Sequence, residues 1–381
     1  MSKTKTTKKS ESSALRTSDF AKQYLETNKD LHYNLIEDVE DYVVSSGSMN
    51  LDSYLDGGFS SGVHRFTGAN EGGKTNEALL VMHNMFKTVP NSKGLFVKAE
   101  GRLSKSIKSR SGLKFVTDPE EWVAGTCFVF ECNIFDAVFD FLRGLLRNNP
   151  EKAKLCIVID SMDGLLPEAE LEKRTSDAAK VAAGALMTSD FLKRVSLGMC
   201  KFGHMLIMIS QIRSSINVNP YAKGDPNNQT NSSGGNAALH YPDWILEFQK
   251  QFKSDKILEK PTEQIGPNNK IYGHMAKVLI CKSTNESTGQ LVKYPIKHGR
   301  MDGRSVWVER EIVEMLLMWG FMNKKGSWFD FDEEVISYLE DKEVESKIKF
   351  QGMASIYEYL EDNEKVSSAL SKFVKDKILT Q

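Results

Sequence analysis

Residues 68–75 read Gly-Ala-Asn-Glu-Gly-Gly-Lys-Thr, and no other segment restricts the fold as tightly. Two glycines five apart followed by Lys-Thr form a complete phosphate-binding loop, which works only as the turn between a strand and a helix. Gly68 and Gly73 let the backbone curl until successive N–H groups point at one small anion. Lys74 is spaced to reach the β- and γ-phosphates of a nucleoside triphosphate, and Thr75 to ligate Mg²⁺. The helix that follows adds its positive N-terminal end. Contacts to the nucleotide are therefore expected over Gly68, Ala69, Asn70, Glu71, Gly72, Gly73, Lys74, Thr75 and Asn76. The flanks fit this context: residues 62–67 are β-prone, and 76–87 carry Leu79, Met82 and Phe86 at helical spacing.

The rest of the chain must supply a sheet for that loop. Apolar, strand-like runs occur at 94–97, 127–130, 155–159 and 205–209, and helical stretches at about 76–88, 133–148 and 183–201 lie between some of them. Continuous apolar strands alternating with helices predict an α/β fold with a mostly parallel sheet covered on both faces. Further strands are expected at 244–250, 276–281 and 291–296, then a helix at 309–321. Residues 214–236 are polar, rich in Asn, Ser, Gly and Pro, and without an apolar run, which predicts a long functional or mobile loop.

At the ends, residues 1–15 are mostly Lys, Ser and Thr and read as a disordered basic tail. A helix is expected at 17–30 and a short strand at 41–44. Residues 16–44 together form an element too small to be stable alone, which must pack on the main domain or on a neighbouring subunit and reads as an oligomerisation element. From about 331 the chain is charged and reads as a small, mostly helical subdomain with Ile356, Leu360, Leu370, Phe373 and Val374 as its core. The formal net charge is −1, so any nucleic-acid site must be a local patch. Of five scattered cysteines, three lie in strand-like runs; buried free thiols and a reducing compartment follow. The longest apolar runs are too short to span a bilayer and the N-terminus lacks a signal core, giving the expectation of a cytoplasmic protein with no membrane partner.

Three residues outside the loop are placed to complete a nucleotide site. Asp160 ends the buried run at 155–159, where an acid can help to hold Mg²⁺ or simply close a strand. Glu100 follows the strand at 94–97, at the carboxyl end that faces a ligand crevice; it can polarise an attacking water or be a surface residue opening a loop. Gln211 ends the strand at 205–210, where its amide can sense the γ-phosphate or satisfy nearby backbone.

Several separated segments, in the same order, resemble the RecA recombinase family: Ser45–Gly62 before the phosphate loop, the loop itself, Asp160–Glu170, Ser210-Gln211-Ile212-Arg213, and Ser233-Gly234-Gly235-Asn236-Ala237. The likeness covers about residues 45–330. It implies a RecA-like ATPase core and a DNA-dependent ATPase that forms helical filaments on single-stranded DNA and exchanges it into a homologous duplex. ATP and Mg²⁺ are the implied cofactors, and single-strand-binding and loader proteins the possible partners. The resemblance makes Glu100 the water-activating base and Thr75 and Asp160 the metal residues. It makes 171–182 and 214–236 the DNA-contacting loops, with Lys173, Arg174, Lys180, Arg213, Gly234, Gly235 and Asn236 as contacts. Lys282, in Leu-Ile-Cys-Lys-Ser-Thr, lies where the family places cations that reach a neighbouring subunit's ATP; otherwise it is a strand-end surface residue.

The region Phe350–Val374 is similar to the end of phage UvsX-type recombinases. Departures from the bacterial pattern are Lys98 in place of an acid, Ile107 near an adenine-stacking aromatic, and Leu239 in place of a basic residue. Two other readings share these motifs: an ATP-binding filament mediator with weak turnover, and a hexameric helicase-type motor.

Overall fold

A computed structural model describes residues 16–29, 34, 41–101, 103–171, 182–214, 230–232, 237–260 and 263–379. The chain divides into two compact units, one ending at Glu40 and one running from Asp41. In the first, the helix Thr17–Thr27 ends three residues before the expected limit of 30 and carries Phe20 and Tyr24 exposed, their ring centroids 6.3 Å apart. The basic tail at 1–15 lies outside the described residues.

The second unit is built on one large sheet. Its strands are β1 (Gly62–Gly68), β2 (Ser92–Lys98), β3 (Lys114–Val116), β4 (Thr126–Glu131), β5 (Lys154–Asp160), β6 (Met205–Ser214), β7 (Thr230–Ser232), β8 (Trp244–Phe248), β9 (Lys256–Leu258), β10 (Ile271–Lys282) and β11 (Leu291–Lys297). Their order is β11-β10-β8-β1-β6-β5-β2-β4-β3, with β7 beside β6 and β9 beside β10. From β8 through β3 all neighbours are parallel, and β10 and β11 continue the sheet antiparallel. The expected mostly parallel α/β fold is therefore present.

Side-chain alternation explains why the central strands are apolar throughout. Phe96, Val158, Ile207 and Ile209 pack on one face with Leu79 and Met82 of the helix Lys74–Thr88. Their neighbours Leu95, Val97, Ile157, Ile159, Leu206 and Met208 pack on the other with Phe139 and Leu142 of the helix Phe135–Arg147 and Leu192 and Val195 of the helix Ala182–Phe202. A strand buried on both faces has no polar position to spare. Cys127 and Cys156 are buried free thiols, whereas Cys281, on the β10 strand, is exposed.

A third apolar cluster closes the chain. It joins Ile312 and Leu316 of the helix Val308–Met318 to Ile356, Leu360, Leu370, Phe373 and Val374. The expected core residues are thus buried, but the region is not only helical. Strands β12 (Met322–Lys325), β13 (Trp328–Phe331) and β14 (Lys349–Gln351) form a small antiparallel sheet among the helices. The expected strand at 41–44 is reduced to one bridge between Val44 and Phe59. The strand expected to end near 210 continues to Ser214 and pairs with Thr230–Ser232, so part of 214–236 is a ribbon rather than a loop. Among the described residues, no helix is long and apolar enough to cross a membrane.

Candidate nucleotide site

Register alone brings the predicted residues together. Gly68 of β1 pairs with Gln211 on one side and Phe248 on the other. Ile159 pairs with Met208, and Lys98 with Asp160. The carboxyl ends of β1, β5 and β2 therefore lie beside the Gln211 position of β6, and the phosphate loop, Gln211, Asp160 and Glu100 emerge along one edge.

The loop geometry needs its glycines. Gly68 has φ +137°, and a Cβ there would lie 2.2 Å from the Phe248 carbonyl oxygen. Gly73, at φ +102°, precedes the first helical residue, Lys74. Glu71 also takes a left-handed φ of 60°. The buried Lys74 Nζ donates to the carbonyls of Gly68, 2.9 Å, and Ala69, 2.7 Å. Burial pushes its pKa down, opposed by the charges of Asp160, Asp163 and Glu100. A polyanion seated in the loop would add to that opposition and hold the ammonium charged.

Thr75 Oγ1 donates to Asp160 Oδ2 at 2.8 Å. Burial raises the Asp160 pKa, the Thr75 bond lowers it, and the nearby Glu100 raises it further. Hydroxyl and carboxylate oxygens converging at the phosphate loop are the donor set a hard divalent cation prefers, so these residues fit Mg²⁺. Beside them, Glu100 Oε1 accepts from Ser161 Oγ at 2.7 Å and from Gln211 Nε2 at 3.1 Å. The Gln211 backbone N–H donates to Asp163 Oδ2 at 2.7 Å.

Next to the loop lies a cavity of about 480 Å³, a size suited to a nucleoside. One wall is Gly72–Glu77; the others include Ile107, Arg110, Gln251, His274, Tyr294 and His298. Gln251 Nε2 is 2.8 Å from His274 Nε2, and His274 Nδ1 is 2.9 Å from His298 Nε2. Burial, then repulsion from His298, holds His274 down at about 4, so the imidazole is neutral at neutral pH. Sequence reasoning reached only Ile107 of this wall. His274, Tyr294 and His298 are brought together by antiparallel pairing of Gly273 with Lys297, a contact that no local motif announces.

Other expected residues stand apart. Lys282 pairs with Ile245, at the end of β8 away from Phe248 and hence away from its own phosphate loop. Its Nζ donates to the His240 carbonyl at 2.5 Å and the Pro242 carbonyl at 2.7 Å. Arg213 lies in β6, its backbone paired with Asn231. Lys173, Arg174, Lys180, Gly234, Gly235 and Asn236 lie outside the described residues. Of the departures, Lys98 is ion-paired with Glu131 at 2.8 Å, and Leu239 is exposed.

Comparison with known proteins agrees with this geometry. A family model described as the RecA N-terminal domain matches residues 28–286. The chain is 25% identical over 339 residues to Protein RecA of Pseudomonas fluorescens, spanning 88% of this chain and 83% of that protein. It is 26% identical over 336 residues to Protein RecA of Rippkaea orientalis, spanning 88% and 82%. Protein RecA of Nostoc punctiforme is 25% identical over 338 residues, spanning 88% and 80%. With the family model covering more than half of its length, this chain belongs to the RecA family of DNA-dependent ATPases.

Proposed function

We propose that the chain is a phage UvsX-type recombinase, which polymerises as a helical filament on single-stranded DNA and pairs that strand with a homologous duplex. One observation carries the reading: Glu100 Oε1 is bonded by both Ser161, next to Asp160, and Gln211, next to the polar segment 214–236. A water-activating acid, the metal-acid strand and a phosphate-sensing amide thus form one cluster beside the phosphate loop.

In this reading Gly68–Asn76 bind ATP, and Lys74 neutralises its β- and γ-phosphates. Thr75 and Asp160 would hold Mg²⁺, which when bound would supply charge neutralisation at the phosphates. Glu100 takes the proton of the attacking water as its oxygen bonds the γ-phosphorus and the bond to ADP breaks. Gln211 exchanges its Glu100 contact for the γ-phosphate and transmits that change along β6. The pairing of Lys282 with Ile245, away from its own loop, supports a role toward a neighbouring subunit. It reaches the neighbour's ATP, so hydrolysis depends on polymerisation. The element 16–44 joins neighbouring subunits. The segments 171–182 and 214–236 grip DNA through Lys173, Arg174, Lys180, Arg213 and the Gly234–Asn236 backbone. Single-strand-binding and loader proteins, and a location inside the DNA-containing cell, belong to the same reading.

Electron microscopy of the full chain with single-stranded DNA and a slowly hydrolysed ATP analogue tests it. Helical filaments that require the nucleotide, together with DNA-stimulated ATP hydrolysis, are expected. Closed rings would indicate a helicase-type motor, and filaments without measurable turnover a mediator.

A further inference from the structure

Arg65 lies in the middle of β1, three residues before Gly68, with its side chain almost wholly buried. It occupies the sheet face of Val63, Leu206 and Met208, a buried layer whose other polar strand residues nearby are Thr67 and Ser210. A guanidinium in such a place is costly unless its donors are met. Nε donates to Ser210 Oγ at 3.0 Å, and one terminal nitrogen donates to the Ala238 carbonyl at 3.1 Å. Burial still lowers its pKa to about 10, while the negative charge of Asp163 supports its protonated form.

The partners are notable for where they lie in the chain. Ser210 immediately precedes Gln211, and Ala238 lies in the short helix Ala237–His240 that follows segment 214–236. Asp163, whose charge Arg65 feels, accepts the Gln211 backbone N–H. One buried cation on the phosphate-loop strand therefore holds the residue before Gln211 and the helix after that segment. An apolar side chain would fill this layer at lower cost, so bulk does not account for an arginine; its fixed fork of donors does.

We propose that Arg65 is a positioning residue for the DNA-dependent reaction: it holds Ser210 and the helix Ala237–His240 to the phosphate-loop strand, so that DNA engagement and the state of the nucleotide act on one rigid frame. This rests on the reading that 214–236 grips DNA. Arg65 does not line the cavity beside the phosphate loop. Its removal is expected to uncouple two activities rather than abolish either binding event.

The test compares wild type, Arg65→Met, Arg65→Lys and Ser210→Ala as full chains. Readouts are affinity for a fluorescent ATP analogue, hydrolysis with and without an oligo(dT) strand, and thermal unfolding. Arg65→Met is expected to bind nucleotide within about twofold of wild type while DNA stimulation falls roughly tenfold, within the usual range of coupling between sites. Arg65→Lys should recover part of the stimulation, because one ammonium can reach one of the two acceptors. Ser210→Ala removes one acceptor with little change in volume, and decides the matter if Arg65→Met does not fold. Full DNA stimulation in Arg65→Met or Ser210→Ala would overturn the inference. So would stimulation lost only in proportion to nucleotide affinity. A wild-type protein that DNA does not stimulate would instead refute the recombinase reading.

Discussion

Glu100 accepts two hydrogen bonds on one oxygen, from a serine and an amide. Both donors aim at that oxygen, and each must be displaced or shared when a substrate water arrives. The glutamine is the natural one to move, since it sits at the level of Gly68 and can turn toward the phosphates. Glu100→Gln should therefore keep ATP-dependent filaments while steady-state hydrolysis drops by about 10²–10⁴, the usual weight of a general base. Phosphate-release assays beside microscopy check this, and an unchanged rate would remove Glu100 from that role. The glutamate was legible as the first acid after an apolar run. Ser161 and Asp163 were not, because what makes them matter is distance across strands, and register is set by the whole sheet rather than by neighbours in sequence.

At the scale of elements, long apolar runs announced themselves and short ones did not. The strands β2, β5 and β6 are buried on both faces, so their composition shows them without any periodicity. The strands of the C-terminal sheet are three or four residues long, too short for alternation to stand out among Lys and Asp. Only in the sheet does the alternation gain meaning, with Phe329 and Phe331 turned inward from β13. The same limit applies to β10: it was expected as 276–281, but it runs from Ile271 and carries His274 into the cavity beside the phosphate loop. At its far end Lys282 bonds the carbonyls of His240, the last residue of the helix Ala237–His240, and of Pro242. If that ammonium leaves them to serve a neighbour's γ-phosphate, its loss should act only in the polymer. Lys282→Ala is expected to bind nucleotide as the wild-type monomer does and to lose DNA-stimulated hydrolysis by about 10²-fold or more, as when a charge-stabilising donor is removed. Equal losses in monomer binding and in stimulated turnover would show a structural cap and nothing more.

Across the whole second unit, three buried acids lie where its parts meet. Asp52 belongs to the segment before β1, Glu77 to the phosphate-loop helix, and Glu311 to the helix that carries the C-terminal cluster. Asp52 accepts from Ser46, Glu77 accepts from Tyr294 Oη at 2.9 Å, and Glu311 from Ser48 and from the Met49 N–H at 2.9 Å. These bonds favour the charged forms, but burial outweighs them and raises all three, Glu77 and Glu311 to about 8 from an ordinary 4.5. Between those two values the folded chain keeps protons that the unfolded chain has released. Raising pH through that window therefore costs stability. The contribution is fully present below about 4.5 and lost above about 8. Each such group contributes a slope of about 1.4 kcal/mol per pH unit. Glu77→Gln keeps an acceptor for Tyr294 but cannot ionise. Its unfolding free energy should fall less steeply than that of the wild type between about pH 6 and 8, by roughly that slope. Denaturant titrations across this range measure the difference. Parallel curves for the two proteins would mean that Glu77 is already ionised in the folded state, and that the joint between the phosphate-loop helix and β11 is held by charge rather than by a proton.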